Sequence, residues 1–530
     1  MQRVGDQLRS HTATLNWHLR TGPQPVTPAP GQLRDAAAVA DRGPGDPVGA
    51  LAGLLLAAAC ATDPAVLAEA ERVLRSAAPR RWTLLDEKLR RAWWHAPGAY
   101  SRAVERLLDD GPRVFGLALA AAHPSGHVRE AAVAELASLE DVLALPALVL
   151  RAADPVPQVR DPARAALTRR LREPDGAALV GAAPVALVLR DRRAGRWLAD
   201  RIENVLRGGP DATLHAALAA QDWRTRRTAH LTALAAGRLD LPRLLRAARH
   251  DRDPLTRAVC AEAAVRTAVA ARAVDLVRPL LANGAAVVRA AAVQALAGAG
   301  EVGPARDALP DRNPLVRATA QAAARRAGLE PAACYRELLA VAAPEPGAIA
   351  GLGETGSGSG DADLVRPWLT HPRPRGRAAA VRALRRLGAA EPALLAPLLT
   401  DPSGAVTRQL AVALRPHAGA LDPAYLRGLL AVDQPGHVRL AAYRLLHARD
   451  VWTRLLVDLE LFTDPSAVLR ARARNDLVTW ATREAATTYG MPAGATAAAL
   501  AARLAEAEDV LGPERSRRLR FLLGLRRPAG

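Results

Sequence analysis

The sequence predicts an all-α protein made of stacked helical hairpins, and three observations support this fold class. Half of its 530 residues are hydrophobic, whereas only 3% are aromatic. The hydrophobic residues are mainly Ala, Leu and Val, a mixture that favours helices over the β-branched and aromatic runs of sheets. A fixed pattern also recurs at intervals of 28 to 32 residues, and such a period is typical of helical repeats.

The recurring pattern begins with a polar residue, often followed by proline, with arginine six residues later and leucine seven residues after the arginine. The copies run from His123 to Leu136, Asp154 to Leu167, Asn283 to Leu296, His371 to Leu384, Asp433 to Leu446 and Asp464 to Leu477, with weaker copies starting at Asp251, Asp311 and Asp401. The polar residue is expected to cap the second helix of each hairpin, and proline is tolerated in the first helical turn.

Small and branched residues at fixed places predict how the hairpins pack. Alanine lies three residues after the arginine place at Ala132, Ala163, Ala292, Ala320, Ala380, Ala442 and Ala473. Alanine lets a paired helix approach closely, while the valine before the arginine and the leucine after it turn one apolar face toward the core. Because no unit buries that face alone, we expect neighbouring units to stack.

This pattern resembles the HEAT repeat family, in particular its short, phycobilin-lyase type, over roughly Pro97 to Thr482. The resemblance implies that the turn Asp and the arginine six residues later bind one repeat to the next. We call this series of polar turn residues and arginines, which is expected to link successive repeats, the ladder. Its candidate residues are Asp154, Arg160, Asp251, Arg257, Asn283, Arg289, Asp311, Arg317, Asp433, Arg439, Asp464 and Arg470. Glu345 and Thr407 occupy arginine places and interrupt the ladder, and Gln221 to Leu234 forms a blurred copy with Arg227 in the arginine place.

The resemblance implies a right-handed α-solenoid of about 11 to 13 HEAT-like hairpins. We expect an N-terminal arm with a Pro-rich linker over residues 1–45 and a helical cap with divergent repeats over 46–122. The repeat array is expected over residues 123–482 and C-terminal capping helices over 483–530. Thr21 to Gly31 is predicted to be extended, and the apolar run Val48 to Ala61 is predicted to be a buried helix.

The stretch GLGETGSGSG at residues 351–360 has the glycine spacing of a phosphate-binding loop. Such a loop needs a lysine and then Ser or Thr after its last glycine, and here Ser359 and Gly360 stand in those two places. In register with the other copies, the stretch is instead predicted to be the end of a repeat helix, with glycines supplying a left-handed stop.

The net charge of +19 suggests an anionic partner such as an acidic protein, nucleic acid or a lipid surface. Only one of the 72 basic residues is lysine, so the alternative is the arginine-rich composition of a GC-rich genome. The candidate residues for an anionic partner are Arg224, Arg226, Arg227, Arg243, Arg246 and Arg249. The last three repeat along one side of a predicted helix, although a solvated face balanced by Asp and Glu gives the same spacing.

The sequence shows no signal for a secreted, membrane-spanning or metal-binding protein. Its three cysteines lie far apart without metal-binding spacing, which predicts a reducing compartment. The N-terminus has no apolar signal-peptide region, and the run Val48 to Ala61 is too short to cross a bilayer. We therefore expect a soluble, cytoplasmic protein, a monomer, with no cofactor, metal or catalytic residue.

Three groups of proteins with related repeats include enzymes or chromophore-binding proteins. Deoxyhypusine hydroxylases carry repeated His-Glu pairs, and this sequence contains none. Alkylpurine DNA glycosylases use Trp, Asp and Arg on a basic concave face, and Trp93, Asp222 and Trp223 supply such residue types without aligning to that site. For the phycobilin lyases the resemblance extends only to the repeat.

These observations favour a non-enzymatic scaffold or adaptor that binds a protein partner, an acidic one given the charge, on the concave surface of the solenoid. The alternative is a nucleic-acid-binding protein that uses its arginine-rich surface, or, less favoured, a DNA glycosylase-like enzyme. A continuous arginine groove with few carboxylates favours nucleic acid, whereas arginines alternating with Asp and Glu favour the protein scaffold.

Overall fold

The computed structural model describes residues 25–41, 46–141, 143–172, 176–192, 194–492 and 494–525, together with Val4, residues 6–8 and Ser10. Within these ranges the secondary structure is helical, without a strand. The chain forms two compact units, Met1–Thr267 and Ala268–Gly530. Each unit is an all-α array of short helices, which agrees with the predicted α-solenoid fold class.

The helices of the first unit are α1 Pro30–Ala40, α2 Asp46–Ala59, α3 Pro64–Arg75, α4 Pro79–Ala92, α5 Pro97–Asp110, α6 Arg113–Ala121, α7 Gly126–Leu136, α8 Ala144–Arg151, α9 Pro157–Arg170, α10 Ala177–Leu189, α11 Arg196–Gly208, α12 Asp211–Leu218, α13 Trp223–Ala235, α14 Leu241–His250 and α15 Pro254–Ala270. Helix α15 contains the division between the units.

The α-helices of the second unit are α16 Ala286–Gly298, α17 Gly303–Ala308, α18 Pro314–Arg326, α19 Pro331–Leu339, α20 Pro346–Thr355, α21 Gly358–Val365, α22 Pro374–Arg386, α23 Pro392–Leu395, α24 Gly404–Leu414, α25 Pro423–Gly428, α26 Gly436–Leu446, α27 Val451–Glu460, α28 Ala467–Thr479, α29 Gly494–Glu506, α30 Glu508–Leu511 and α31 Pro513–Leu522. Short 3₁₀ segments occupy Val274–Ala282, Arg366–Thr370, Ala396–Thr400 and Arg415–Ala420.

The second helices of successive hairpins pack against one another, as stacking requires. In the second unit α16 packs on α18, α20 on α22, α22 on α24, and α24 on α26. The apolar places of the repeat line these contacts, because the predicted alanines and the valines before the arginine places are buried. Their burial confirms that the recurring Val, Ala and Leu places form one apolar face.

The turn before each second helix differs in detail from the predicted helix cap. The Asp311 side chain accepts a hydrogen bond from the Asn313 amide at 2.7 Å, and helix α18 then begins at Pro314. The same contact, with an amide two residues on, is made by Asp154, Asp251, Asn283, Asp401 and Asp464. The polar residue therefore shapes the turn, and the residue two places later holds the N-cap position.

In several copies the fourth residue of the second helix is an arginine that bridges two turns. Arg289 Nη1 donates to the carbonyls of Asn283 and Gly284 at 2.8 and 3.1 Å. Its Nε and Nη2 each lie 2.8 Å from a carboxylate oxygen of Asp311 in the next turn. Corresponding arginine-to-carboxylate contacts join Arg129 to Asp154, Arg226 to Asp251, Arg377 to Asp401 and Arg439 to Asp464.

Several candidate ladder residues need correction, because within the described ranges they do not make the predicted contact between one turn and the next. Among the acids that the structure describes, Arg160 pairs only with its neighbour Asp161, at 3.0 Å. Arg257 and Arg470 hold the carbonyls of their own turns. Asp433 is exposed, because the preceding arginine place holds Thr407 rather than an arginine that could pair with it. Arg439 donates to the carbonyl of Leu430 instead of the carbonyl of Asp433.

Arg317 reaches an acid that the repeat pattern does not predict. Its Nε lies 3.0 Å from Glu354 Oε2, near the end of α20, rather than contacting a turn carboxylate. Glu354 also accepts from Gln321 at 3.0 Å and from Arg386 at 2.9 Å. The register shifts here, because the fourth residue of α20 is Ile349 and the predicted arginine place, Glu345, precedes that helix.

The glycine stretch contains the end of helix α20 and the turn after it, as predicted, but the predicted left-handed glycine stop is wrong. Gly351 and Gly353 lie inside α20, which ends at Thr355, and Gly356 has an ordinary extended backbone with φ −79° and ψ 172°. A Cβ at Gly353 would lie 2.4 Å from the Cα of Ala383 on α22. Within the stretch only Gly358, which begins α21, has a positive φ, +76°. Gly351 and Gly353 therefore let α20 pack closely against the neighbouring helices.

The two ends of the chain are also helical where the structure describes them. Residues 1–24 lie mostly outside the described ranges, and Pro30 and Gly31, predicted as linker, begin α1. Helix α2 buries Leu51, Leu55 and other residues of the apolar run, as predicted. Among the described residues, none of the helices combines the length and apolar character that a bilayer crossing requires. The domain boundaries predicted at residues 45, 122 and 482 stay predictions.

Candidate functional site

A basic groove in the first unit gathers half of the arginines singled out for an anionic partner. The groove lies between α12, α13 and α14 and has a volume of about 600 Å³. It is lined by Arg226, Arg243, Arg246 and Arg252 with His215, His230, His250, Gln221 and Asp251. We call this set the basic groove.

The four arginines of the basic groove differ in how much of their charge is already neutralised. Arg226 is the ladder arginine of this copy, with its Nε 3.2 Å from Asp251. Arg243 contacts His215 Nε2 at 2.8 Å and lies 3.5 Å from the exposed carboxylate of Asp240. Arg246 and Arg252 are exposed and have no ion pair within the part of the chain that the structure describes. These two guanidiniums are available to a ligand.

The predicted register of this copy was one residue late. Arg226 Nη1 donates to the carbonyls of Ala220 and Gln221, six and five residues earlier, as the other ladder arginines do. Arg227, which occupies the arginine place when the copy is read from Gln221, instead binds Asp253 through Nε at 2.9 Å. Proposing Arg226 as a residue for an external anion therefore needs correction, because its charge is paired within the fold.

The remaining candidates lie beside the basic groove. The guanidinium carbons of Arg224 and Arg227 stand 4.3 and 4.5 Å from the ring centre of Trp223. Trp223 is 40% exposed, so these side chains form a cation–π stack on the surface. Arg249 is exposed and is not among the residues that line the groove. Of the three arginines predicted to form one stripe, Arg243 and Arg246 therefore line the groove and Arg249 does not.

A buried polar cluster in the second unit was missed by sequence reasoning. The Tyr443 hydroxyl donates to Asp458 Oδ1 at 2.8 Å. His447 Nε2 lies 3.3 Å from Asp458 Oδ2 and 3.0 Å from Asp476 Oδ2. Asp476 is also paired with Arg454 at 2.6 Å. The members come from α26, α27 and α28, so no spacing along the sequence brings them together.

Protonation of this cluster follows from its burial and hydrogen bonds. Burial alone lowers the pKa of His447, but the hydrogen bonds to Asp458 and Asp476 outweigh it and raise that pKa to about 9. Burial raises the pKa of Asp458 to about 7, against the opposing effect of the His447 hydrogen bond. One ligand atom from each of the three side chains lies within 4.8 Å of the others. Because hydrogen bonds and the Arg454 pair occupy these atoms, we interpret the cluster as structural.

We expect the second unit to lose stability as the pH rises from about 6.5 to about 9. The folded-state pKa of His447 lies above its unfolded value, so its contribution is complete below pH 6.5 and is lost as the imidazolium deprotonates. A shift to about 9 corresponds to about 3 kcal/mol. Asp458, whose pKa is also raised, acts in the same direction up to about pH 7.

Urea unfolding of the protein at about pH 6, 7.5 and 9 measures this dependence. The variant His447→Gln should flatten the slope, while His417→Gln, at an exposed position, should keep it. An unchanged slope in His447→Gln contradicts the assignment of this titration to the cluster.

Comparison with known proteins identifies no relative that assigns a function. The chain matches no family model and no curated protein. Similar solved structures include Kap95p, from a structure with RanGDP, at 12% identity with TM-score 0.34, covering 90% of this chain and 66% of that one. They also include importin beta at 14% identity, TM-score 0.29, with 98% and 77% covered. UNC-45 from Drosophila melanogaster has 13% identity, TM-score 0.21, with 96% and 78% covered. These values are too low to carry an argument about this chain.

Proposed function

We propose that the protein is a non-enzymatic cytoplasmic adaptor that binds an acidic segment of a protein partner in the basic groove. The observation that carries the proposal is the pair of exposed arginines, Arg246 and Arg252, that face the groove without a carboxylate partner in the described chain. Arginine matches carboxylates through two parallel hydrogen bonds, which gives both affinity and orientation. Repeat arrays commonly use their extended surfaces to bind a partner.

The charge around the groove supports a protein segment over a nucleic acid. Asp251 is the single carboxylate among the lining residues that the structure describes, and Arg226 binds it. Beyond the lining, arginines alternate with acids: Asp240 lies beside Arg243, and Asp253 beside Arg227. A nucleic-acid backbone needs a longer run of unpaired cations. A short acidic peptide needs only the few that this groove offers.

The flank of the groove supplies the observation that favours the second candidate, single-stranded nucleic acid. Trp223 is partly exposed, and Arg224 and Arg227 stack on it. Aromatic side chains beside arginines are the usual platform on which unpaired bases stack. This candidate is weaker, because Arg227 is held by Asp253 and the guanidinium groups of Arg224 and Arg227 already stack on the ring.

Fluorescence anisotropy distinguishes the two candidates. The probes are a labelled Glu-rich peptide, single-stranded DNA, duplex DNA and RNA of matched charge, at about 50 and 200 mM salt. We expect the peptide to bind and the double variant Arg246→Gln/Arg252→Gln to weaken it about 10-fold, equivalent to about 1.4 kcal/mol. The matched control is Arg207→Gln/Arg266→Gln, which removes the same charge from exposed positions outside the groove.

The outcome decides between three conclusions. If the groove variant and the control lose the same peptide affinity, binding depends only on net charge, and the proposal is overturned. Tighter binding of single-stranded DNA or RNA than of the peptide at both salt concentrations, lost in Trp223→Ala, establishes the nucleic-acid candidate instead. Loss of peptide binding confined to the groove variant supports the adaptor.

A further inference from the structure

A second groove, in the second unit, is lined by arginines that nothing in the sequence pattern singled out. It lies along α24, α26 and α28 and has a volume of about 660 Å³. Its arginines are Arg408, Arg415, Arg444 and Arg472, and His447, Asn475, Asp476 and Thr479 add further polar groups. We call this set the four-arginine groove.

The four arginines lack counter-charges within the described chain. None of them lies within 4.0 Å of a carboxylate there, whereas nearby Arg427, Arg439 and Arg454 each form an ion pair. Asp476 is the one acid among the described lining residues, and it is bound by both Arg454 and His447. The positive charge of the groove is therefore left uncompensated by the protein.

This uncompensated charge is concentrated and partly buried. Arg444 is half-buried between the exposed side chains of Arg408 and Arg472. Its pKa is lowered by burial first, and then by the neighbouring charges of Arg472 and Arg408. Placing like charges together in this way opposes folding unless a ligand neutralises them. Many other arginines of the described chain pair with a carboxylate, so four neighbouring arginines that do not are a candidate binding site for an anion.

The close placement of the unpaired arginines favours a compact, highly charged anion, because Arg408 and Arg472 both lie near enough to Arg444 to lower its pKa. A volume of about 660 Å³ fits a small molecule and lies within the usual range of ligand sites. An extended acidic peptide spaces its residues by about 3.3 to 3.6 Å and spreads its charge along a path. A chain of phosphates carries several charges within the same length, and guanidinium groups match phosphate oxygens in pairs.

We propose that the four-arginine groove binds a small ligand carrying two or more linked phosphate groups. The site is separate from the basic groove, and the proposal does not depend on the adaptor function. Arg444 lies at the centre of the ligand's charge, and Arg408, Arg415 and Arg472 contact it from the edges of the groove. Asn475 and Thr479 on α28 add polar groups at one side.

Isothermal titration calorimetry of the full chain tests this site with sodium tripolyphosphate, a nucleoside triphosphate and orthophosphate at equal ionic strength. We expect micromolar binding of tripolyphosphate, at least 10-fold tighter than orthophosphate. Equal affinity for the nucleoside triphosphate indicates that the phosphate chain alone is recognised, and tighter binding indicates an organic source for the ligand. Either result supports a polyphosphate site.

Two double variants locate the binding. Arg444→Gln/Arg472→Gln should weaken tripolyphosphate at least 10-fold, and Arg325→Gln/Arg385→Gln, at exposed positions outside the groove, should leave it unchanged. The groove variant should melt at the same or a higher temperature without ligand, because it relieves repulsion. Equal weakening by both variants, indistinguishable affinities for tripolyphosphate and orthophosphate, or a preference of the groove for the Glu-rich peptide would each overturn the proposal.

Discussion

Replacing Gly353 with alanine is expected to destabilise the second unit by about 3 kcal/mol, since overpacking a close helix contact costs that amount. The added Cβ would lie 2.4 Å from the Cα and 2.5 Å from the Cβ of Ala383. Because the obstacle is backbone, no side chain can turn aside, and α20 must move away from α22. Thermal and urea unfolding measure the loss, and the m-value reports whether the array still unfolds as before.

The same glycine-rich stretch contains its own control. Gly360 lies in α21, and no atom lies within 4 Å of the place that a Cβ would take there. Gly360→Ala should therefore be neutral or stabilise the helix by about 0.5 to 1 kcal/mol. If Gly353→Ala and Gly360→Ala unfold alike, close packing of α20 is not what requires Gly353.

The second large effect is expected from Asp154→Asn, which should destabilise the first unit by about 3 to 5 kcal/mol because it leaves buried charges without their partner. The Asp154 carboxylate is completely buried and lies 3.0 Å from Arg129 Nε and 3.2 Å from Arg151 Nη1. Burial alone would raise its pKa, but the hydrogen bond from Arg129 and the charge of Arg151 lower it. The neutral amide loses both attractions, while the two guanidiniums remain inside.

Asp161→Asn is the matched control for this variant. Asp161 also faces an arginine, Arg160, but its side chain is 62% exposed. We expect a change within about 0.5 kcal/mol, as for most exposed ion pairs. Denaturant unfolding compares the two variants directly. If both variants lose a similarly small free energy of unfolding, the ion pairs of Asp154 are as well screened by solvent as the exposed pair of Asp161.

The repeat could be predicted from the sequence because its physical cause is local and recurs. Val128, Ala132 and Leu136 lie on one helical face, and the same spacing in other copies marks the same buried positions. The contact between Arg289 and Asp311 follows the period as well, because each turn has the same shape. The all-α class and the places of the second helices therefore followed from the spacing.

Contacts that depart from the period could not be predicted in this way. Arg317 binds Glu354, which is 37 residues distant, because α20 begins later than the frame expects. The one-residue shift at Arg226 is visible only from the carbonyls that its guanidinium contacts. Whether an arginine is free depends on which acids neighbouring helices bring near it. The four-arginine groove and the His447 cluster therefore become visible only once the helices are packed.

The arginine links also bear on how the chain is made. The five links between an arginine and the acid of the next turn join residues that are 22 to 25 positions apart. Closing so short a loop costs little entropy and needs no distant part of the chain. At about 5 to 20 residues per second, synthesis delivers the partner of each arginine roughly 1 to 5 s after the arginine itself. The nascent protein is thus able to order one hairpin after another as it leaves the ribosome.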